Sequence, residues 1–147
     1  MIISTKGRYA LRVMIDLVQN KDAGYIPLKD IAERQDVSEK YLESIIKDLV
    51  KAGHVTGLRG KGGGYKLSNP AETYTAWDAI YATETGLSPV ACLGEGSPEC
   101  PHESSCVTLP MWKDFNENIE IFFKKYRKLA SAEKAIIPLL LATFRVR

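Results

Sequence analysis

Residues 25–55, "YIPLKDIAERQDVSEKYLESIIKDLVKAGHV", and the stretch that follows them, "TGLRGKGGGYKLS", confine the fold more than any other part of the chain. Pro27 precedes a short helix predicted over Leu28 to about Arg34. After Gln35, Asp36 and Val37, Ser38 is a good helix N-cap, because its hydroxyl can accept from a free amide of the next turn. Leu42, Ile45, Ile46, Leu49 and Val50 then recur at the spacing of one buried stripe, and Gly53 supplies a left-handed stop. The outward face of this second helix carries Lys40, Ser44, Lys47 and Lys51, with Ser38 and Tyr41 near its start. Two helices joined by a tight turn, the second bearing a polar and mostly basic ridge, form a helix-turn-helix whose second helix fits a DNA major groove. Taken alone, the pattern equally suits an amphipathic helix with a solvated face.

The next residues favour the first reading. Segments His54 to Leu58 and Tyr65 to Leu67 read as strands flanking a tip of Arg59, Gly60, Lys61, Gly62, Gly63 and Gly64. The glycines permit positive φ and close backbone approach, and Arg59 and Lys61 can reach phosphates or a narrow minor groove. The glycine spacing fits neither a P-loop nor a dinucleotide-binding fingerprint. The predicted fold is therefore mainly α with a small β-hairpin wing, a winged helix-turn-helix followed by a long dimerisation helix. Glu39 and Glu43 are the odd residues on the ridge. A carboxylate facing DNA is repelled unless it finds a donor such as the cytosine amino group, so Glu43 acts as a base filter. Glu39 also suits the helix N-terminus electrostatically.

Charge divides unevenly along the chain. Residues 1–70 hold 12 Lys/Arg against 8 Asp/Glu, residues 71–110 hold none against 6, and residues 111–147 hold 8 against 4. The middle segment is thus unsuited to nucleic acid, whereas its neighbours are suited to it. All three cysteines, Cys92, Cys100 and Cys106, lie in that acidic segment, with seven and then five residues between them, in a loop rich in Gly, Pro and Ser. Three thiolates can converge on one centre, and soft sulfur suits iron. Structural zinc favours close Cys-x-x-Cys pairs, which are absent, although a Cys3His site using His102 remains open. A disulfide fits poorly with an odd cysteine count in a cytoplasmic chain. Free redox-sensing thiols would want nearby positive charge, which the segment lacks. Cluster, zinc and free thiols all remain open on these grounds.

Farther on, Trp112, Phe115, Ile119, Phe122, Tyr126 and Leu129 recur at alternating steps of three and four, the pattern of a coiled-coil seam. A helix packed on its own domain has the same periodicity, but two recognition helices reading a pseudo-palindrome favour a homodimer. The final stretch, "SAEKAIIPLLLATFRVR", reads as a short apolar helix kinked at Pro138. Its apolar run falls short of the roughly 20 residues that span a bilayer, and the N-terminus lacks signal-peptide organisation, so a cytoplasmic protein without membrane association is expected. A small redox enzyme or electron carrier would explain the cysteines but leave the basic ridge and wing without a role. We therefore expect residues 1–75 to bind double-stranded DNA and residues 76–147 to carry the cysteine loop and dimerisation, with no enzymatic activity.

The motifs "STKGRYALRVMIDL", "IAERQDVSEKYLESIIKDLVKAGHV" and "RGKGGGYKLS", followed by three loop cysteines, resemble the Rrf-type family of bacterial winged-helix regulators, which includes iron-sulfur cluster regulators. That resemblance, covering roughly residues 1–125, implies a homodimeric transcription factor sensing iron-sulfur cluster status, iron, nitric oxide or redox state. It implies DNA contacts at Ser38, Tyr41, Glu43 and Arg59, with Lys40, Lys47 and Lys61 as neighbouring candidates from the basic ridge and wing. It also implies discrimination between classes of DNA site by Glu43, and a [2Fe-2S] or [4Fe-4S] cluster on Cys92, Cys100 and Cys106. The sequence departs from the pattern where a metal-binding histidine would sit three residues after the last cysteine, because Leu109 stands there. Arg8 occupies the region from which some relatives recruit an acidic ligand across the dimer. The fourth ligand is left to His102, to Glu95, Glu99 or Glu103, to the partner subunit, or to an external thiol or water.

Overall fold

Helix α1 spans Thr5–Gln19 and begins where the Ser4 side chain accepts from the Gly7 amide. Ala10, Val13, Met14, Leu17 and Val18 form its buried stripe. The computed structural model describes residues 3–84 and 86–126; Leu129 and the expected helix around Pro138 lie outside the described residues. Helices α2 (Leu28–Gln35) and α3 (Glu39–Lys51) follow, and the turn between them is closed by the backbone. The Val37 amide donates to Ala32 O at 3.1 Å and the Asp36 amide to Glu33 O at 3.3 Å, with Asp36 at φ 52°. Such a closure needs a left-handed residue, and Asp is one of the few non-glycine types that accepts it.

Ser38 caps α3 as expected, accepting from the Tyr41 amide at 3.2 Å. At the far end Gly53 adopts φ 77°, and the His54 and Gly53 amides donate to the carbonyls of Leu49 and Val50, both at 3.0 Å. Leu42, Ile45, Ile46 and Leu49 are buried against α1 and α2. Side chains of this size each contribute about 1.5–3 kcal/mol when fully buried. Val50, expected in the same stripe, is instead 40 % exposed. It stands at the edge of the stripe, facing the hairpin.

The hairpin pairs β1 (Val55–Leu58) with β2 (Gly64–Leu67) in antiparallel register, Val55 opposite Leu67 and Leu58 opposite Gly64. A third segment joins them. Ile26, just before α2, exchanges two backbone hydrogen bonds with Tyr65, at 2.9 and 2.8 Å. That contact anchors the wing to the helix-turn-helix and explains Gly64, because a Cβ there would lie 2.3 Å from the Ile26 carbonyl oxygen. Tyr74, 3 % exposed, fastens the hairpin base from below by donating to His54 O at 3.0 Å and accepting from the Asn69 amide.

Helix α4 (Ala76–Tyr81) starts with a capping box between Thr75 and Asp78 and packs against α1, so Ala79 joins the same core. The cysteine segment follows, and α5 (Leu109–Lys125) returns against α4. Trp77 stacks on Tyr81 with ring centroids 4.9 Å apart and faces Phe123.

Between α1 and α2 lies the one buried charged side chain among the described residues, Asp16, 3 % exposed. Arg34 donates from Nε and Nη2 to its two oxygens at 2.8 Å, and Gln35 Nε2 donates to Oδ1 at 3.1 Å. Arg12 in turn holds Gln35 through its side-chain and backbone oxygens. The hydrogen bond to Asp16 holds the Arg34 guanidinium above its ordinary range, against the opposing effect of burial.

Candidate nucleic-acid interface and cysteine loop

The structure brings α3 and the wing to opposite sides of one groove of about 340 Å³. Glu43, Ile46, Lys47 and Val50 line it from the helix, and Gly57, Leu58, Arg59 and Tyr65 from the hairpin. Glu43, Lys47 and Arg59, separated in sequence, therefore share a site. Ser38 and Lys40 are exposed at the start of α3, and Lys61 at the wing tip. Tyr41 is only half-buried; its ring meets Tyr9 edge-on at 5.8 Å, which fixes the N-terminal turn of α3 against α1. Among the described residues, Lys40, Lys47, Arg59 and Lys61 form no ion pair. Four unpaired cations on α3 and the wing suit a polyanion, while the exposed Glu39 and Glu43 place negative charge among them.

Lys6 on α1 forms an ion pair with Asp48, the second acidic side chain of α3 beyond its first turn. Sequence reasoning missed this pair, since its members are 42 residues apart. It also missed Asp16, although a carboxylate inside the apolar run "VMIDLV" is a visible signal that a buried partner is required.

The cysteine loop is irregular, with single 3-10 turns at Ala91–Leu93 and Glu103–Ser105. Cys92 is exposed and Cys100 and Cys106 are half-buried, all as free thiols. No cluster of metal-ligating side chains is gathered among the described residues. The donor chemistry suits a soft metal or cluster, but the loop does not bring its three sulfurs together in this conformation. Two of the acidic candidates for a fourth ligand are otherwise engaged. Tyr81 donates to Glu95, and Lys113 pairs with Glu103 at 3.2 Å. The bond to Glu95 also pushes the Tyr81 phenol above its ordinary range. Glu99 and His102 are exposed. Cys106 sits just ahead of α5, where the Thr108 hydroxyl lies 3.5 Å from its sulfur. Hydrogen bonds from the Thr108 side chain and backbone, and from the Leu109 amide, lower the thiol below its usual range.

The expected coiled-coil seam is divided on α5. Ile119 is buried within the protomer and Trp112 is half-buried, whereas Met111, Phe115, Phe122 and Tyr126 stay exposed. The short α4 takes up one side of the helix, leaving the second apolar face uncovered. Among the described residues no helix is long and apolar enough to cross a membrane.

Comparison with known proteins places this geometry in context. Residues 3–130 match the family model Rrf2, described as an iron-dependent transcriptional regulator. The HTH-type transcriptional regulator IscR of Escherichia coli is 37% identical over 122 residues, covering 83% of this chain and 74% of that protein. Among solved structures, IscR of T. potens superposes with a TM-score of 0.68 at 34% identity, covering 91% of this chain and 87% of that one. CymR, the global cysteine regulator of B. subtilis, gives 0.67 at 34% identity over 88% of this chain and 94% of that one.

Proposed function

The chain belongs to the Rrf2 family of transcriptional regulators, and from that membership we propose that it is a homodimeric cytoplasmic regulator whose DNA affinity or site choice responds to an iron-sulfur cluster on Cys92, Cys100 and Cys106. The observation that carries the DNA reading is the groove that sets Lys47 and Glu43 of α3 opposite Arg59 of the wing, with Lys40 and Lys61 free on either side. Ser38, Lys40, Tyr41, Glu43 and Lys47 present the recognition helix, and Arg59 and Lys61 contact the flanking backbone or minor groove. Arg59→Ala is expected to weaken operator binding by about 1–3 kcal/mol. A uniform loss with a salt slope reduced by about one marks a phosphate contact, and a loss confined to one base step marks minor-groove reading. Anisotropy titrations at several salt concentrations distinguish them.

The exposed face of α5 supports the dimer. Phe115 and Phe122 are about half exposed on the same stripe as Met111 and Tyr126, and aromatic side chains of this kind anchor interfaces. The double substitution Phe115→Asp with Phe122→Asp is expected to weaken self-association by about 2 kcal/mol or more and to leave a monomer in sedimentation equilibrium.

The cluster reading rests on three thiols within one loop, the family resemblance of the motifs around them, and a family description that names iron. When bound, a cluster would supply a redox-labile signal, held by the three cysteine sulfurs once the loop gathers them. The test is anaerobic purification followed by absorption spectroscopy and by iron, sulfide and zinc analysis of one sample. Iron and sulfide, both lost in Cys100→Ala, are the expected result. Zinc, or no metal after anaerobic reconstitution, favours a second reading: a cluster-free regulator answering to thiol chemistry. The separated sulfurs are what favour that alternative.

A further inference from the structure

From Glu84, eight residues before Cys92, a short chain of contacts runs through the first turn of α1 to α3. Glu84 lies three residues beyond the end of α4, and its amide still bonds back to Ile80 O at 3.2 Å. The Glu84 carboxylate reaches the start of α1. Its Oε1 accepts from the Ser4 amide at 3.0 Å and from the Ser4 hydroxyl at 2.8 Å. That hydroxyl is itself the N-cap of α1, accepting from the Gly7 amide at 3.0 Å. A negative charge at a helix N-terminus is stabilised by the unpaired amides there.

The Glu84 carboxylate occupies the space beside Gly7. Gly7 is buried, and a Cβ at that position would lie 2.1 Å from Glu84 Oε1. Gly7 has no positive φ, so a larger residue there would act by displacing the end of the Glu84 side chain rather than by straining the backbone. One residue before it, Lys6 reaches in another direction to Asp48 on α3, three residues beyond Ile45 of the buried stripe and one beyond Lys47 of the groove. Thus the same helical turn is tied at Ser4 to Glu84, on the segment that leads to Cys92, and at Lys6 to the helix proposed to read DNA. The free amides of this first turn depend on the Ser4 cap, so displacing Ser4 disturbs the turn that carries Lys6.

We infer that Glu84 is a positioning residue that transmits the state of the cysteine loop to α3 through Ser4, Gly7 and the Lys6–Asp48 pair. The inference rests on the proposed function for its input and adds the route. Rearrangement of the loop to gather its sulfurs pulls on the segment beginning at Glu84, shifts the α1 cap, and re-aims Lys47 and Glu43 through Asp48. Glu84 touches neither DNA nor sulfur; it acts only through α1.

The test compares the full-length parent with Glu84→Ala, Glu84→Gln and Lys6→Met. Each is stripped of metal or loaded anaerobically with ferrous iron and sulfide, and each is titrated against one operator duplex selected with the parent. Iron content and amide hydrogen exchange across residues 4–8 and 39–51 are read on the same samples. Effector couplings commonly run from about fivefold to 150-fold, and the parent is expected to lie in that range. Glu84→Ala and Lys6→Met should bring the ratio below about twofold at unchanged iron content, with loading no longer altering exchange in α3. Glu84→Gln retains one acceptor for Ser4 and should keep an intermediate ratio. A purely structural role would lower both affinities together and leave the ratio intact, and that result overturns the inference. Lys6→Met decides the matter if Glu84→Ala fails to fold. A parent that loads iron and sulfide yet shows equal affinities overturns the functional reading as well, whereas a parent with a ratio that every variant preserves overturns only the route.

Discussion

Alanine at position 64 is expected to cost about 3 kcal/mol of stability and to abolish specific DNA binding in the concentration range where the parent binds. Two separate effects combine. Gly64 sits at φ 152°, a conformation that costs an L-residue roughly 1–3 kcal/mol. A Cβ there would also approach the Ile26 carbonyl oxygen to 2.3 Å and Pro27 N to 2.8 Å. All of these atoms are backbone, so nothing can swing aside, and the wing must part from residue 26 with loss of both Ile26–Tyr65 hydrogen bonds. Arg59 then loses its position opposite Lys47 and Glu43. Gly60→Ala is the control: φ is 94° but no atom lies within 4 Å of the added Cβ, so about 1 kcal/mol of strain is expected with the wing still docked. Urea denaturation and operator titration of the two variants separate docking from strain. Equal behaviour would mean that the Ile26 contact does not hold the wing.

Removal of the Arg34 side chain is the second large effect. Arg34→Met leaves the Asp16 carboxylate, 3 % exposed, with only Gln35 Nε2 for a partner. Breaking a buried pair from one side costs about 3–5 kcal/mol, and the 39 % exposure of the Arg34 side chain places this case near 3 kcal/mol. Arg12 is affected too, because it braces the same Gln35. Pairing Arg34→Met with Asp16→Leu should recover most of the loss, since an apolar replacement of both partners leaves no charge buried. Denaturant midpoints of the two single variants and the double variant give the coupling directly. Strict additivity would show that the contact does not fasten α1 to α2.

The helices and the wing were legible because their signals are local. Ser38, the spacing from Leu42 to Leu49, and Gly53 sit within one helix length of each other, and each performs the task its chemistry suggests. The exposed positions Lys40, Ser44, Lys47 and Lys51 of α3 were legible for the same reason, whereas Tyr41, expected on that ridge, packs against Tyr9. What escaped notice depends on separation in sequence. Ile26 pairing with Tyr65, Glu84 reaching Ser4 and Lys6 reaching Asp48 are tertiary choices, and no periodicity encodes them. The apolar repeat of α5 was visible, but not that α4 would take Ile119 and leave Phe122 uncovered, because one helix can offer two faces. In the cysteine loop, three thiols announce soft-metal chemistry, while Gly, Pro and Ser specify no single backbone path that gathers them.

The most direct measurement is the affinity of one protein sample for a panel of selected operator duplexes, taken anaerobically after iron and sulfide reconstitution and again after chelation, with iron and sulfide quantified at each step. A change of about tenfold or more on at least one duplex, or a change in rank order among them, is the predicted result. Identical affinities on every duplex, with iron and sulfide demonstrably bound in one state and absent in the other, would contradict the coupling of the cysteine loop to DNA.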